Sequence, residues 1–416
     1  MNNEIWNSNI WPRPPDLSLY NYVENSFPSV QCEYYDSKGF FDLSMKYNKK
    51  YISVICFNIR SCRKNFPSFL AFLNSLTHKF SIIILVETWL TNSFDNGFNI
   101  RGYKTANIYK SNVSGGIKIF YDEQLEVDTL SSFTLVNDIM QVLTIKIKSK
   151  NFNIIICAIY RPPSSCAQIF NDVLFDELIS KFPSNSKVIL AGDLNLNLLN
   201  PLNLLYIEDF MSYMMCHGFF PVITRPAKIN ENNVTTKYSL IDQIWTNFYI
   251  GDNHKSGVIT YTLTDHFPVF YLFNADYHIP SKNISYRVIN ETNIQNFITN
   301  VNSMDINSIY DNNDPNTAIN QLMNMLFTVY DSTCPIKKKK LKKNLINEPW
   351  VTPRLKKCIR KKFLLFNLHR RGLISKTDFV WYKNLLRWVI TKMRKLFYQT
   401  ELTKCRNNIL IHSLLM

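Results

Sequence analysis

Several absences bound what this 416-residue chain can be. There is no Cys-x-x-Cys pair. The nine cysteines stand singly and their number is odd, which fits reduced thiols in an intracellular protein and not a disulfide frame or a zinc site. No uncharged apolar run reaches the length of about 18 residues that a membrane span needs. The opening residues, MNNEIWNSNIWPRPP, lack a basic stretch leading into an apolar one, which argues against a secretory leader. Acid is scarce in one place. From Ile336 onward there are 22 Lys and Arg against Glu348, Asp378 and Glu401, a net of +19, whereas residues 1–335 sum to −4. A cationic segment on a near-neutral body points to a polyanion such as nucleic acid as partner, with a merely solvated charged face as the alternative.

The length suggests two structured parts plus tails. Residues 1–48 are rich in Asn, Ser, Pro and aromatics without sustained periodicity, and are expected to be a poorly ordered lead-in. From Tyr51 apolar runs of strand type recur: 52–57, 81–86, 152–159 and 187–191, with 141–148 alternating as a strand with one wet face does. Helical spacing appears over 66–78, 169–182 and 204–217, the last stopping at Gly218. Further strands are expected over 257–263 and 267–273. Interleaved strands and helices, some strands antiparallel, predict an α/β domain over 49–276 with two mixed sheets packed face to face and helices outside.

The polar residues of this region sit at strand ends. The run 187–197, KVILAGDLNLN, ends on Gly192 and delivers Asp193 and Asn195 two residues apart, on one side of an extended backbone. Other strands end on Asn58, Glu87, Tyr160 and Asp265-His266, and Asp242 is a further contribution. Each alone is more often an ordinary strand-end polar group. Together they would assemble carboxylates, carboxamides, a phenol and an imidazole. Oxygen donors without sulfur suit a hard ion such as Mg²⁺, and an Asp beside a His holds the imidazole and favours its charged form. Such a set fits metal-assisted hydrolysis of a phosphate ester.

The series Phe57-Asn58-Ile59-Arg60-Ser61, Glu87-Thr88-Trp89-Leu90, Ile159-Tyr160-Arg161-Pro162-Pro163, Gly192-Asp193-Leu194-Asn195, Ser239-Leu240-Ile241-Asp242 and Thr264-Asp265-His266-Phe267-Pro268-Val269 resembles, in order, the endonuclease/exonuclease/phosphatase superfamily. More narrowly it resembles the apurinic-endonuclease-like domain of jockey-like non-LTR retrotransposons, over about residues 50–275. The resemblance implies a four-layer α/β sandwich and a Mg²⁺-dependent phosphodiesterase, with Mn²⁺ as a substitute ion, that nicks DNA. By matching position, Glu87 would be the main metal ligand, helped by Asn58 and Asp265. Asp193 would orient or deprotonate the attacking water, Asn195 would hold water and phosphate, and His266, steadied by Asp242, would stabilise charge on the phosphoryl oxygens. Tyr160 would contact the phosphate or assist the leaving oxygen, and Arg161 would touch the nucleic-acid backbone. Two departures stand out: Arg60 occupies a place where cellular apurinic endonucleases carry Asp, and Thr264 replaces the usual Ser.

Residues 277–335 are expected to be a linker with short helices, and 336–416 a basic helical connector. There, Lys337, Lys338, Lys339, Lys340, Lys342 and Lys343 precede helices over 354–369 and 379–402, spaced as a hairpin with a basic outer face. This part resembles the connector that joins nuclease to reverse transcriptase in such elements. The chain contains no Asp-Asp pair for a polymerase metal site, so a reading without the polymerase is expected. DNA is then the expected partner, with the element's RNA reached through the basic tail, no membrane, and a nuclear location. Two rivals stay open: a small-substrate phosphatase sharing the fold, and a catalytically silent remnant that binds nucleic acid.

Overall fold

The computed structural model describes residues 32–47, 51–92, 97–109, 115–148, 153–183, 185–199, 204–231, 236–248, 254–274, 283–310, 314–340, 348–370 and 372–414. Two compact units result: Met1–Ile279 with Leu345–Met416, and Pro280–Asn344. In the larger unit the strands are β1 (Cys32–Tyr35), β2 (Tyr51–Asn58), β3 (Ile82–Val86), β4 (Tyr103–Ile108), β5 (Ile117–Asp122), β6 (Glu126–Thr129), β7 (Leu135–Val136), β8 (Gln141–Lys148), β9 (Asn153–Tyr160), β10 (Lys187–Asp193), β11 (Phe220–Pro221), β12 (Lys228–Glu231), β13 (Thr236–Ser239), β14 (Asp242–Thr246), β15 (His254–Ile259) and β16 (Val269–Asn274). Its early helices are α1 (Ser37–Lys46), α2 (Cys62–Leu76), α3 (Ala167–Glu177) and α4 (Leu204–Cys216).

One seven-stranded sheet runs β1-β15-β16-β2-β3-β5-β4; the other runs β11-β14-β10-β9-β8-β6, with β7 also on β8. Both are mixed: β2 lies parallel to β3 and β9 parallel to β10, while most other pairs are antiparallel. The continuous apolar runs follow from burial on both faces. Ile52, Val54 and Cys56 of β2, with Ile82, Ile84 and Val86 of β3, join the core between the sheets. Their neighbours Ile55, Phe57, Ile83 and Leu85 join a second core, where Phe66, Phe69 and Phe72 of α2 cover the outer face. Helices α3 and α4 cover the other sheet through Phe170, Leu174 and Phe210. The expected four-layer α/β arrangement is thus present. Gly192 is required by a close approach: a Cβ there would lie 1.7 Å from the carbonyl oxygen of Ile159 in β9.

The lead-in expected over residues 1–48 is regular from Cys32. Strand β1 adds to the sheet edge parallel to β15, pairing Cys32 with Ser256 and Tyr35 with Ile259, and α1 is capped by Asp36, whose carboxylate accepts from the Gly39 N–H at 2.7 Å. A four-residue strand whose partner lies over two hundred residues downstream leaves no local pattern to read.

Two more helices close the larger unit. They are αC1 (Pro353–Arg370) and αC2 (Lys376–Leu414). They form the expected helical hairpin, and they join the α2 layer. Trp350, Val351, Leu355, Ile359, Leu386 and Ile390 lie in the same core cluster as Phe66 and Phe69. Each such side chain, once enclosed, contributes about 1.5–3 kcal/mol. Within the segment expected as a basic helical connector, residues 345–416 group with the α/β body and 336–344 with the small unit.

The small unit pairs β17 (Asn283–Arg287) with β18 (Ile336–Lys340), antiparallel, beside α5 (Glu291–Asn302), α6 (Asn307–Tyr310) and α7 (Pro315–Thr333). Arg287 fastens it, donating to the Cys334 carbonyl at 3.1 Å and lying 4.5 Å from the Tyr330 ring centroid. Lys337–Lys340 thus fall on a strand. Lys342 and Lys343 lie outside the described residues.

Candidate active site

The strand registers align four of the site's side chains. Gln141 of β8 pairs with Tyr160 of β9, Tyr160 with Asp193 of β10, and Asp193 with Asp242 of β14. Ladder partners project to the same face of a sheet, so this single row crosses four strands and faces the other sheet. From that other sheet come Asn58, the last residue of β2, and Glu87, just past β3. The two halves meet in a carboxamide: Asn58 Nδ2 donates to Glu87 Oε1 at 2.7 Å and to Asp193 Oδ2 at 2.9 Å. His266, from the turn between β15 and β16, holds Asp242 Oδ2 at 2.8 Å through Nδ1 and lies 3.8 Å from Asp193 Oδ2. Asp193, Asp242 and His266 are each at most 2 % exposed, so the centre has a dry floor, while Glu87, Asn195 and Asp265 are half-buried at its rim.

Backbone strain gathers here. Of six described non-glycine residues with positive φ, five belong to the site segments: Arg60, Ser61, Glu87, Trp89 and Asn195. Such conformations each cost about 1 kcal/mol or more and survive where surrounding bonds over-determine them. Ser61 and Cys62 donate backbone N–H bonds to the carbonyls of Glu87 and Thr88, tying the two strand ends together. Asn195, φ +47°, is a residue type that tolerates the left-handed region; its N–H donates to Asp193 Oδ1 at 3.0 Å and its Nδ2 to the Arg161 carbonyl at 2.7 Å.

The electrostatics separate two roles. Burial, then the neighbouring Asp242 charge, pushes the Asp193 carboxyl up to about 7, against the opposing pull of His266, Asn58 and the Asn195 N–H. Burial alone would lower the His266 imidazole, but the Asp242 charge and hydrogen bond outweigh it and the net direction is up. A carboxyl raised toward neutrality beside an imidazole whose charged form is favoured can serve as a base and an electrophile side by side. With Nδ1–H committed to Asp242, the buried Nε2 of His266 has no partner among the described residues, the atom left for a substrate oxygen. Burial, then Glu87, raises the Tyr160 phenol further above its ordinary value, so it stays a neutral donor.

Asp193, Asp242 and His266 are close enough together to share a cation. The 2.8 Å bond between Asp242 and His266 Nδ1 already holds a proton, however, and makes this trio a proton-handling set. The rim carboxylate of Glu87 suits a hard ion better, one carboxylate completed by water and phosphate. Asn58, expected as a second ligand, turns its NH₂ to both carboxylates and its oxygen to the Arg60 N–H at 3.1 Å; Asp265, expected as a third, is ion-paired to Arg60 at 2.9 Å. Arg60 is thus absorbed by Asp265.

Arg161, expected to touch the nucleic-acid backbone, is held by the protein's own loops. It is 5 % exposed, donates to the carbonyls of Leu194, Asn195 and Ser165, and lies over the Phe170 ring, fastening the loops after β9 and β10. Of the lysines expected to grip nucleic acid, Lys337 is exposed on β18; the side chains of Lys338, Lys339 and Lys340 and all of Lys342 and Lys343 are outside the described residues. Gln141 has no sequence signal, yet its Oε1 accepts the Gly116 N–H at 2.7 Å, and the carbonyls of Gly116 and Gly115 accept from Thr88 and Trp89, bracing the Glu87 segment. Thr264 does keep the hydroxyl in use, donating to the Asn58 carbonyl at 3.1 Å and accepting the His266 N–H at 3.2 Å.

No protein-family model and no curated protein matches the chain. Among solved structures it is similar to the endonuclease domain of TRAS1, a telomere-specific non-LTR retrotransposon, at 15 % identity over 54 % of this chain and 100 % of that one, TM-score 0.44. It is similar to an AP endonuclease from Archaeoglobus fulgidus at 17 % identity over 54 % and 100 %, TM-score 0.43. The AP endonuclease LMAP from Leishmania major aligns at 12 % identity over 64 % of this chain and 99 % of that one, TM-score 0.45.

Proposed function

We propose that this chain is a Mg²⁺-dependent endonuclease that hydrolyses one phosphodiester bond in one DNA strand and leaves a 3′-hydroxyl. The observation that carries the reading is the dry Asp193-Asp242-His266 cluster, in which His266 Nε2 has no partner among the described residues, roofed by Asn58 and Glu87. Asp193 takes a proton from water, whose oxygen attacks phosphorus as the bond to the 3′-oxygen breaks. His266, kept charged by Asp242, donates from Nε2 to a non-bridging oxygen as negative charge builds there. Tyr160, held neutral, donates to the phosphate or the departing oxygen, and Asn195 keeps the Asp193 carboxylate aimed through its backbone N–H. A divalent ion held at Glu87 would add positive charge against the phosphoryl oxygens.

The narrower role, a retrotransposon nick that primes reverse transcription in the nucleus, is supported by the six ordered motifs and by the +19 segment. That segment would add a salt-sensitive, sequence-independent hold on DNA or on the element's RNA. Supercoiled plasmid with Mg²⁺ tests the proposal, run with wild type, Asp193→Ala and His266→Ala. Nicking by wild type alone, abolished by EDTA and restored by Mg²⁺ or Mn²⁺, is expected. Equal nicking by all three proteins, or binding without nicking by wild type, overturns it.

A further inference from the structure

The turn that carries Asp265 and His266 is gripped from both sides by a helix about a hundred residues downstream. Residues 260–267 form the connection between β15 and β16, closed at its base where the Ile259 N–H donates to the Pro268 carbonyl at 2.8 Å. On one arm, Lys362 Nζ of αC1 donates to the Thr262 carbonyl at 2.7 Å and sits 4.4 Å from the Tyr261 ring centroid. On the other arm, Phe366 of αC1 meets Phe267 edge-on, centroids 5.8 Å apart. Tyr261 is itself stacked on Phe72 of α2 at 4.2 Å. The inner stripe of αC1 is Leu355, Ile359, Lys362 and Phe366, all at most 5 % exposed, so a lysine occupies a core position of an amphipathic helix.

That lysine is costly. Burial, reinforced by Lys383 and Arg387 of αC2, drives its ammonium well below the ordinary lysine value. A leucine or methionine would fill the stripe without desolvation. What the Lys362 nitrogen adds is a directed bond to a loop carbonyl two residues before Thr264, whose hydroxyl in turn links Asn58 to His266.

We infer that Lys362 and Phe366 are positioning residues for the Asp265-His266 turn, so that the basic C-terminal hairpin sets the working geometry of the centre. The kinetic arm of the test rests on the phosphodiesterase reading; the exchange arm does not. Full-length Lys362→Met and Phe366→Leu are compared with Leu355→Ala, which loosens the same helix seven residues, about two turns, before Lys362. The measurements are nicking kinetics, thermal unfolding, and amide hydrogen exchange of residues 261–268. Expected for Lys362→Met is a kcat lower by about tenfold with KM within about twofold, and turn exchange faster by about tenfold, without a lowered Tm. Phe366→Leu, which keeps an apolar contact, should lie between this variant and wild type. Leu355→Ala should lower Tm and leave kcat and turn exchange near wild type. Unchanged kcat and exchange in Lys362→Met, or the same two changes in Leu355→Ala, overturns the inference. If wild type does not nick, the phosphodiesterase reading fails and turn exchange alone decides this one.

Discussion

Replacing Asp193 by Asn should make the protein more stable and inactive at once. In the fold the carboxyl is enclosed beside Asp242 and titrates at about 7, while in the unfolded chain it titrates near 4. Between those values the native state holds a proton that the unfolded state has released, so stability falls as pH rises through this window, and the penalty is complete above it. At about 1.4 kcal/mol per pH unit, three units amount to on the order of 4 kcal/mol. The carboxamide keeps the acceptor for the Asn195 N–H but sets an NH₂ against Asn58 Nδ2, which costs back about 1 kcal/mol. A net gain of roughly 2–3 kcal/mol at pH 8 remains, a Tm rise on the order of 5 °C or more. Near pH 4.5, where the native carboxyl is already neutral, the two proteins should unfold within a degree or two of each other. Thermal unfolding in EDTA at both pH values gives the comparison, with plasmid nicking measured in parallel. A Tm difference that does not change with pH, or a variant less stable than wild type at pH 8, refutes the reasoning.

Asp242 raises both Asp193 and His266, so Asp242→Asn should move both limbs of the activity–pH profile to lower pH, the optimum falling by about one unit or more; initial nicking rates across pH show whether the limbs move together. Gly192→Ala drives a Cβ into the β9 backbone and should cost more than about 4 kcal/mol, read as loss of soluble protein or a collapsed denaturation midpoint. Arg161→Met removes buried charge-assisted bonds to the loops after β9 and β10 and should lower stability by about 2–4 kcal/mol, while DNA affinity at fixed salt, measured by filter binding, stays within about twofold of wild type.

The strand ends could be read in advance because the central strands are enclosed on both faces, and an uninterrupted apolar run ending in a polar residue is then unambiguous. Glu87, Tyr160 and Asp193 stand out for that reason. Their geometry could not be read. Glu87 at φ +52° sits in a conformation its residue type does not announce, and the bracing role of Gln141 depends on a loop 25 residues earlier. The pairing of Asp242 with His266 entered through the resemblance of ordered motifs, since neither residue type nor spacing links them. Arg161 beside two prolines resembles a surface cation because its acceptors, backbone carbonyls, carry no sequence signature. Lys362 is the opposite case: its place in the stripe Leu355-Ile359-Lys362-Phe366 is periodic and visible, but in a segment so rich in lysine one more cation attracts no notice.

The row Gln141, Tyr160, Asp193, Asp242 has a consequence for how such a protein can change over time. Substitutions along the strands alter packing one side chain at a time, and lengthened loops leave the row intact. A single inserted or deleted residue within β8, β9, β10 or β14 turns every following side chain to the other face and empties one place in the centre. The chain can therefore drift far in residue identity and in loop length while remaining intolerant of any change in strand length, so a lineage of such proteins would keep its strand spacings long after its sequences had ceased to look alike.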